Sequence, residues 1–215
     1  MGYTRRIPYR PYCCNAAQKD PVLLLNMKAP RRYRALLYWL LVAFWLSPGM
    51  VGAQLLDMPP LIDAAERGNI ADVQKAILDG ASPNIRGGYR STALIVAAGH
   101  GAVDIVELLL KNGARVDLVE DKGNSALIYA AVNDHVDVMA LLLAAGAAID
   151  RSNKQGETAL MRAAGEGSDN AVASLLAAGA DPSLTDFTGR SAFDRAVENR
   201  RSRVMAIFRK AGISR

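Results

Sequence analysis

Along most of the chain, apolar residues fall in short clusters punctuated by glycine and by charged turns. In "RSTALIVAAGHGAVDIVELLLKNGARVD", Arg90 to Asp117, the run from Ala93 to Ala98 is closed by Gly101, and a second apolar run follows. In that second run Ile105, Val106, Leu109 and Leu110 stand at i, i+1, i+4 and i+5, which places them on one stripe of a helix. Thr92 precedes the first run, where a hydroxyl can accept an orphan N–H of the first helical turn. Lys111 lies in the last turn of the second run and Gly113 follows it, the signature of a helix closed by a left-handed glycine. The pattern predicts helix, turn, helix, and then an extended loop, "ARVDLVEDKGN", with a charged turn at its tip.

The same pattern is written again and again. Gly80, Gly113, Gly146, Gly179 and Gly212 are each 33 residues apart, as are Leu61, Leu94, Leu127, Leu160 and Phe193, and Ala64, Ala97, Ala130, Ala163 and Ala196. The cap position recurs as Ser125, Thr158 and Ser191. A fixed period of this size marks a stack of repeats. Neither helix of a unit reaches the roughly 12–15 residues that an isolated helix needs in water, so each must bury its stripe on the next unit. Helix pairs are expected to start near Pro60, Thr92, Ser125, Thr158 and Ser191.

The unit resembles the ankyrin repeat, whose pattern runs G-x-T-P-L-H-x-A-A, then G-H, then V-x-L-L-L-x-x-G-A-D-V-N. The matching residues are Thr92-Ala93-Leu94, Ala97-Ala98, Gly101, Val106 to Leu110 and Gly113-Ala114 in one unit. His135 stands at the G-H position of the next, and Gly156-Glu157-Thr158-Ala159-Leu160 with Gly179-Ala180-Asp181 carry the pattern further. The resemblance covers residues 59 to 213 and implies an all-α solenoid of stacked helix-turn-helix units with projecting hairpin loops. The units fall at about 59–87, 88–120, 121–153, 154–186 and 187–215. Alanine replaces the family's proline at Ala93, Ala126, Ala159 and Ala192, and its block histidine gives way to Ile95, Ile128, Met161 and Asp194. That loses a histidine–threonine hydrogen bond typical of the family without threatening the fold. The terminal units read as caps, which a solenoid needs. Pro59-Pro60 opens the first, and Arg209 stands in the fifth where the others have Leu110, Leu143 and Leu176.

Charge changes the picture only once it is divided. Residues 1–53 carry eight basic side chains and one acid, net +7, and residues 54–215 carry 18 basic and 20 acidic ones, net −2. The overall balance of +5 therefore belongs to the leader and gives no reason to expect a nucleic-acid partner. In the leader a basic block (Lys28, Arg31, Arg32, Arg34) precedes the apolar run "ALLYWLLVAFWL", and Val51-Gly52-Ala53 offers small residues for cleavage before Gln54. That order is a secretory signal peptide, of a bacterial kind, and predicts export to a periplasm-like compartment. An uncleaved inner-membrane anchor is the alternative, since 35–54 approaches the length of a span, but Pro48-Gly49 interrupts it. Arg34 argues against a twin-arginine signal. Residues 1–26 fit no signal, so translation is expected to start at Met27, with 27–53 as signal or anchor and 54–215 as the repeat domain. Cys13 and Cys14 both precede Met27, which leaves the expected mature chain without thiol chemistry.

Candidate chemistry is sparse. The mature chain has two histidines, His100 and His135, in different repeats and no cysteine, a poor basis for a metal site or a catalytic dyad. Gly87-Gly88 lacks the rest of a phosphate loop. No catalytic residue, metal or cofactor is expected, and the surface remains. Family resemblance implies protein binding on the concave face, through hairpin tips and first-helix ends. By phase these are Arg86, Tyr89, Arg90, Ser91, Asp121, Lys122, Asn124, Lys154, Gln155, Glu157, Phe187 and Arg190 at the tips, and Glu66, Arg67, His100, Asn133, Glu166 and Asn199 at the helix ends. Tyr89 and Phe187 are aromatics expected on exposed tips, and Tyr and Arg are enriched among binding hot spots. A second feature is polarity along the chain: residues 54–188 hold ten bases and 18 acids, net −8, whereas 189–215 hold eight bases and two acids, net +6. The basic end is either a polar cap or a docking end for an anionic surface. A binding module is thus the leading expectation, with an envelope structural protein and an inhibitor or immunity-type partner of an exported enzyme as alternatives.

Overall fold

The structure of the protein, a computed structural model, describes residues 58–214. The expected leader and its cleavage point between Ala53 and Gln54 lie outside the described residues. Among the described residues, ten α-helices follow one another in five pairs. They are α1 (Pro60–Glu66), α2 (Ile70–Leu78), α3 (Ala93–His100), α4 (Val103–Lys111) and α5 (Ala126–Val132), then α6 (Val136–Ala144), α7 (Ala159–Glu166), α8 (Asp169–Ala177), α9 (Ala192–Glu198) and α10 (Ser202–Lys210). Among the described residues there is no strand. The loops between pairs close instead as tight hairpins, two of them with a single antiparallel bridge, Val119–Ser125 and Thr185–Ser191.

Helix starts follow the predicted caps. The side-chain oxygens of Thr92, Ser125, Thr158 and Ser191 accept the backbone N–H of Ile95, Ile128, Met161 and Asp194 at 3.2–3.4 Å. Where the family's histidine is missing, Ile95, Ile128 and Met161 are buried as core residues. Asp194 instead completes a reciprocal cap by accepting the Ser191 N–H at 3.1 Å. The first helix α1 has no side-chain cap and starts on proline, whose missing N–H costs nothing at that position. Each pair turns at a left-handed residue, Gly68, Gly101, Asp134, Gly167 and Arg200, spaced 33 apart.

The first helices stack more closely than the second ones. The reason is side-chain size: the alanine pairs Ala64-Ala65, Ala97-Ala98, Ala130-Ala131 and Ala163-Ala164 are fully buried between first helices. Larger residues (Val106, Leu109, Met139, Leu142, Val172, Leu175) separate the second helices. A stack packed closer on one side bends toward that side, so the first helices and hairpins line its inner face. In the last unit Phe193 and Phe208 meet edge to face with centroids 6.0 Å apart, and Arg209 is exposed as a cap residue should be.

Three polar ladders pin neighbouring units. At the tips the N–H of Asp121, Lys154 and Phe187 donates to the carbonyls of Tyr89, Lys122 and Gln155 at 2.9, 3.0 and 3.1 Å. On the outer loops the side-chain oxygens of Asn84, Asp117 and Asp150 accept the N–H of Arg115, Ala148 and Asp181. At the helix turns His135, Ser168 and Arg201 reach back to the carbonyls of Gly99, Val132 and Gly165 at 3.2, 2.7 and 3.0 Å. His135 therefore has the structural place that its G-H position implies.

Candidate protein-binding face

The hairpins are built around one buried polar residue each. Glu120, Asn153 and Asp186 occupy the same repeat position and are all buried. The Glu120 carboxylate accepts the N–H of Lys122 and Asn124, the Asn153 oxygen those of Gln155 and Glu157, and the Asp186 carboxylate those of Thr188 and Arg190. This bonding curls the chain so that the next residues, Asp121-Lys122, Lys154-Gln155 and Phe187-Thr188, stand exposed at the tips. Gly123 and Gly156 then take φ of 85° and 79°, and a Cβ there would strike the backbone of the following hairpin at 2.8 Å.

The hairpin between the first two units breaks the rule. Gly87 stands where the others carry the clamping side chain, and Arg90 stands where they carry glycine. The segment Gly88–Arg90 winds into a short 3-10 turn, with Tyr89 and Arg90 both left-handed at φ 53° and 57°. Two adjacent non-glycine residues in that region store on the order of 1–2 kcal/mol each. Arg86 holds the turn by donating to the carbonyls of Arg90 (3.1 Å) and Val119 (2.8 Å). The result lifts the Tyr89 ring into solvent at 75% exposure.

The predicted site residues divide into two groups. Tyr89, Arg90, His100, Asp121, Lys122, Asn133, Lys154, Gln155 and Phe187 are exposed on the tips and first-helix ends, as are Glu66, Arg67 and Asn199. Phe187 is 78% exposed, and one edge of its ring covers Gly156 of the preceding hairpin. Glu157 requires a correction. It is buried at 8% exposure, so it is no tip residue. It accepts from Asn153 at 3.0 Å, pairs closely with Arg195, and lies 3.7 Å from Arg162. Asn124 is likewise half-buried and accepts from Asn153 at 2.9 Å. Arg190 is engaged rather than free: it holds Asp186 at 3.1 Å and Glu198 at 2.9 Å. Glu166 is half-buried beside Arg162.

These contacts form one charged network on the inner face of units four and five, with Asp186 bridging Arg190 and Arg195. Burial works against the ionised Asp186. It is outweighed by hydrogen bonds from the Thr188 hydroxyl, the Arg190 and Thr188 N–H groups and the Arg190 side chain, so the carboxyl titrates well below the usual range. The same bond raises the Arg190 guanidinium. Sequence reasoning missed Arg162 and Arg195, although both fall at one repeat position and Asn153 and Asp186 at another. Nor did it see the left-handed turn, whose signal was Arg90 at a glycine position.

The expected basic end is also partly committed. Arg201 covers Gly167 and bonds Gly165, and Arg203 lies 3.7 Å from Asp169, which leaves Arg200, Arg209 and Lys210 exposed with no ion pair among the described residues. Among the described residues no three or more His, Cys, Asp or Glu side chains are grouped to hold a metal ion, and no helix is long and apolar enough to cross a membrane.

Comparison with known families agrees with this architecture. A family model described as ankyrin repeats (3 copies) matches residues 61–153, and one described as ankyrin repeats (many copies) matches 142–196. No curated protein matches the chain at a significant level. With paired helices at a period of 33, left-handed turns in register and family matches running from 61 to 196, the chain belongs to the ankyrin-repeat family.

Proposed function

We infer from its membership of the ankyrin repeats, which are generally protein–protein interaction modules, that this chain binds a partner protein. We propose that this protein is a non-catalytic docking module that acts outside the cytoplasm and binds a partner protein through the hairpin tips and first-helix ends of its inner face. The observation that carries the reading is the pair of exposed aromatics, Tyr89 and Phe187, held on tips that backbone bonds lock to their neighbours. Large rings presented on a rigid frame lose little freedom on binding, which favours them as anchors. The network of Glu157, Asp186, Arg190 and Arg195 fixes the floor beside Phe187.

Capture from a native extract, by the wild type and by Tyr89→Ala and Phe187→Ala, tests the face. Each variant should remain folded and lose at least tenfold in capture, since truncating a hot spot costs about 2 kcal/mol or more. Undiminished capture by both would move the site elsewhere. Export is tested by N-terminal sequencing of the native protein: a start at Gln54 supports a cleaved signal, and an intact leader means an anchored protein. The exposed Arg200, Arg209 and Lys210 favour a second reading, an envelope protein whose end touches an anionic surface. Vesicle binding that vanishes at high salt and on replacing these three would favour it. In a narrower version of the first reading, the partner is an exported enzyme that the protein restrains or protects.

A further inference from the structure

The helix-turn ladder is complete at three junctions and absent at the first. Between units two and three the His135 ring lies against Gly101 and meets the Gly99 carbonyl at 3.2 Å. Between units three and four the Ser168 hydroxyl donates to Val132 at 2.7 Å. Between units four and five Arg201 lies over Gly167, and its Nε donates to the Gly165 carbonyl at 3.0 Å. The corresponding residue between units one and two is Ala102, whose methyl can donate nothing. A Cβ on Gly68, the counterpart of Gly101 and Gly167, would meet no atom within 4 Å. The space that His135 and Arg201 fill elsewhere is open here. It forms a cleft of about 340 Å³ lined by Gly68, Ile70, Gly101, Ala102, Val103 and Ile105, with Asp104 beside them.

The cleft has the chemistry of an unfilled donor position. Its repeat-equivalent acceptor is the carbonyl of Glu66 at the end of α1, a helix end where carbonyls lack intrahelical partners. Glu66 and Asp104 are exposed carboxylates with no ion pair among the described residues, and the nearby Arg67 is tied to Asp63 at 2.9 Å. Ile70 is 44% exposed, a large apolar side chain that a flat aliphatic stem can cover. Arg201 shows how the same backbone frame receives a guanidinium: the stem lies on the left-handed glycine and Nε points at the carbonyl.

We propose that the cleft between Gly68 and Ala102 is an arginine seat, filled by an arginine side chain of a partner protein in the way Arg201 fills its counterpart within the chain. The seat lies at the helix-turn edge, at the opposite ends of the first helices from the hairpin tips, so it deepens the proposed docking function at the first-helix ends, and its test does not depend on the tips. The guanidinium would donate to the Glu66 carbonyl, Glu66 and Asp104 would balance its charge, and its stem would lie along Gly68 and Ile70.

The test uses the full chain, isotope-labelled, titrated with methylguanidinium and separately with methylammonium at constant ionic strength. Methylguanidinium should shift the amides of Gly68, Ala102 and Val103 along a saturating curve, while methylammonium moves them far less. Ala102→Arg should abolish the saturating shift by filling the seat from within. It should also raise the melting temperature by about 2–4 °C, the change expected for gaining one junction contact in a protein of this size. Absence of a saturating shift at these amides in the wild type would overturn the proposal. So would an equal response to both cations, or an undiminished response in Ala102→Arg.

Discussion

Asp186 is almost fully buried, yet it stays ionised because its hydrogen bonds outweigh its lost hydration. A carboxyl held below its unfolded value stabilises the fold most fully above the unfolded pKa of about 4 and loses that contribution as pH falls through and below it. Asp186→Asn should therefore be less stable than the wild type at pH 7, by about 3 kcal/mol for a broken buried charge network. The gap should narrow below about pH 4. Denaturant melts of the two proteins at pH 7 and pH 3 measure it. Asn153 already builds the same turn with an amide, so the substitution removes the charge while keeping the hairpin. Arg90 offers the converse experiment. Arg90→Gly relieves a left-handed arginine and should raise stability by about 0.5–1 kcal/mol, read as a higher denaturation midpoint. The same change frees the Tyr89 tip, so partner capture should fall as stability rises.

At the scale of the element, helix positions were legible because caps, alanine pairs and closing glycines are local signals that repeat. Thr92, Ser125, Thr158 and Ser191 cap their helices as the spacing requires. The first hairpin was not legible in the same way. Its left-handed turn depends on what Gly87 fails to supply and on the Arg86 bonds to a neighbouring unit. Glu157 was misplaced for a related reason: one residue's position in a hairpin says nothing of the two arginines that approach from later helices. Leu109, fully buried between α4 and its neighbours, tests the packing itself. Leu109→Ala should cost about 2–5 kcal/mol through the cavity it leaves. Hydrogen exchange should show the loss shared by the adjoining units, because repeat stability is set by nearest neighbours. Confinement of faster exchange to α4 alone would contradict stacking as the source of stability.

For the molecule as a whole, the repeat length and the number of units could be counted from the sequence, and the inner face could be assigned by phase. Which inner-face residues stay available for a partner could not. Availability depends on contacts across units, and these withdraw Glu157 and engage Arg190 while leaving Tyr89 and Phe187 exposed. The central claim is that the tips contact a partner protein and the second helices do not. Photo-cross-linking residues placed singly at Tyr89 and Phe187, and at the exposed second-helix positions Glu107 and Asp137, test it most directly in a native extract. The tip positions should yield a discrete cross-linked species that excess unlabelled wild type competes away, and the second-helix positions should not. Cross-linking from Glu107 or Asp137 with none from either tip would contradict it.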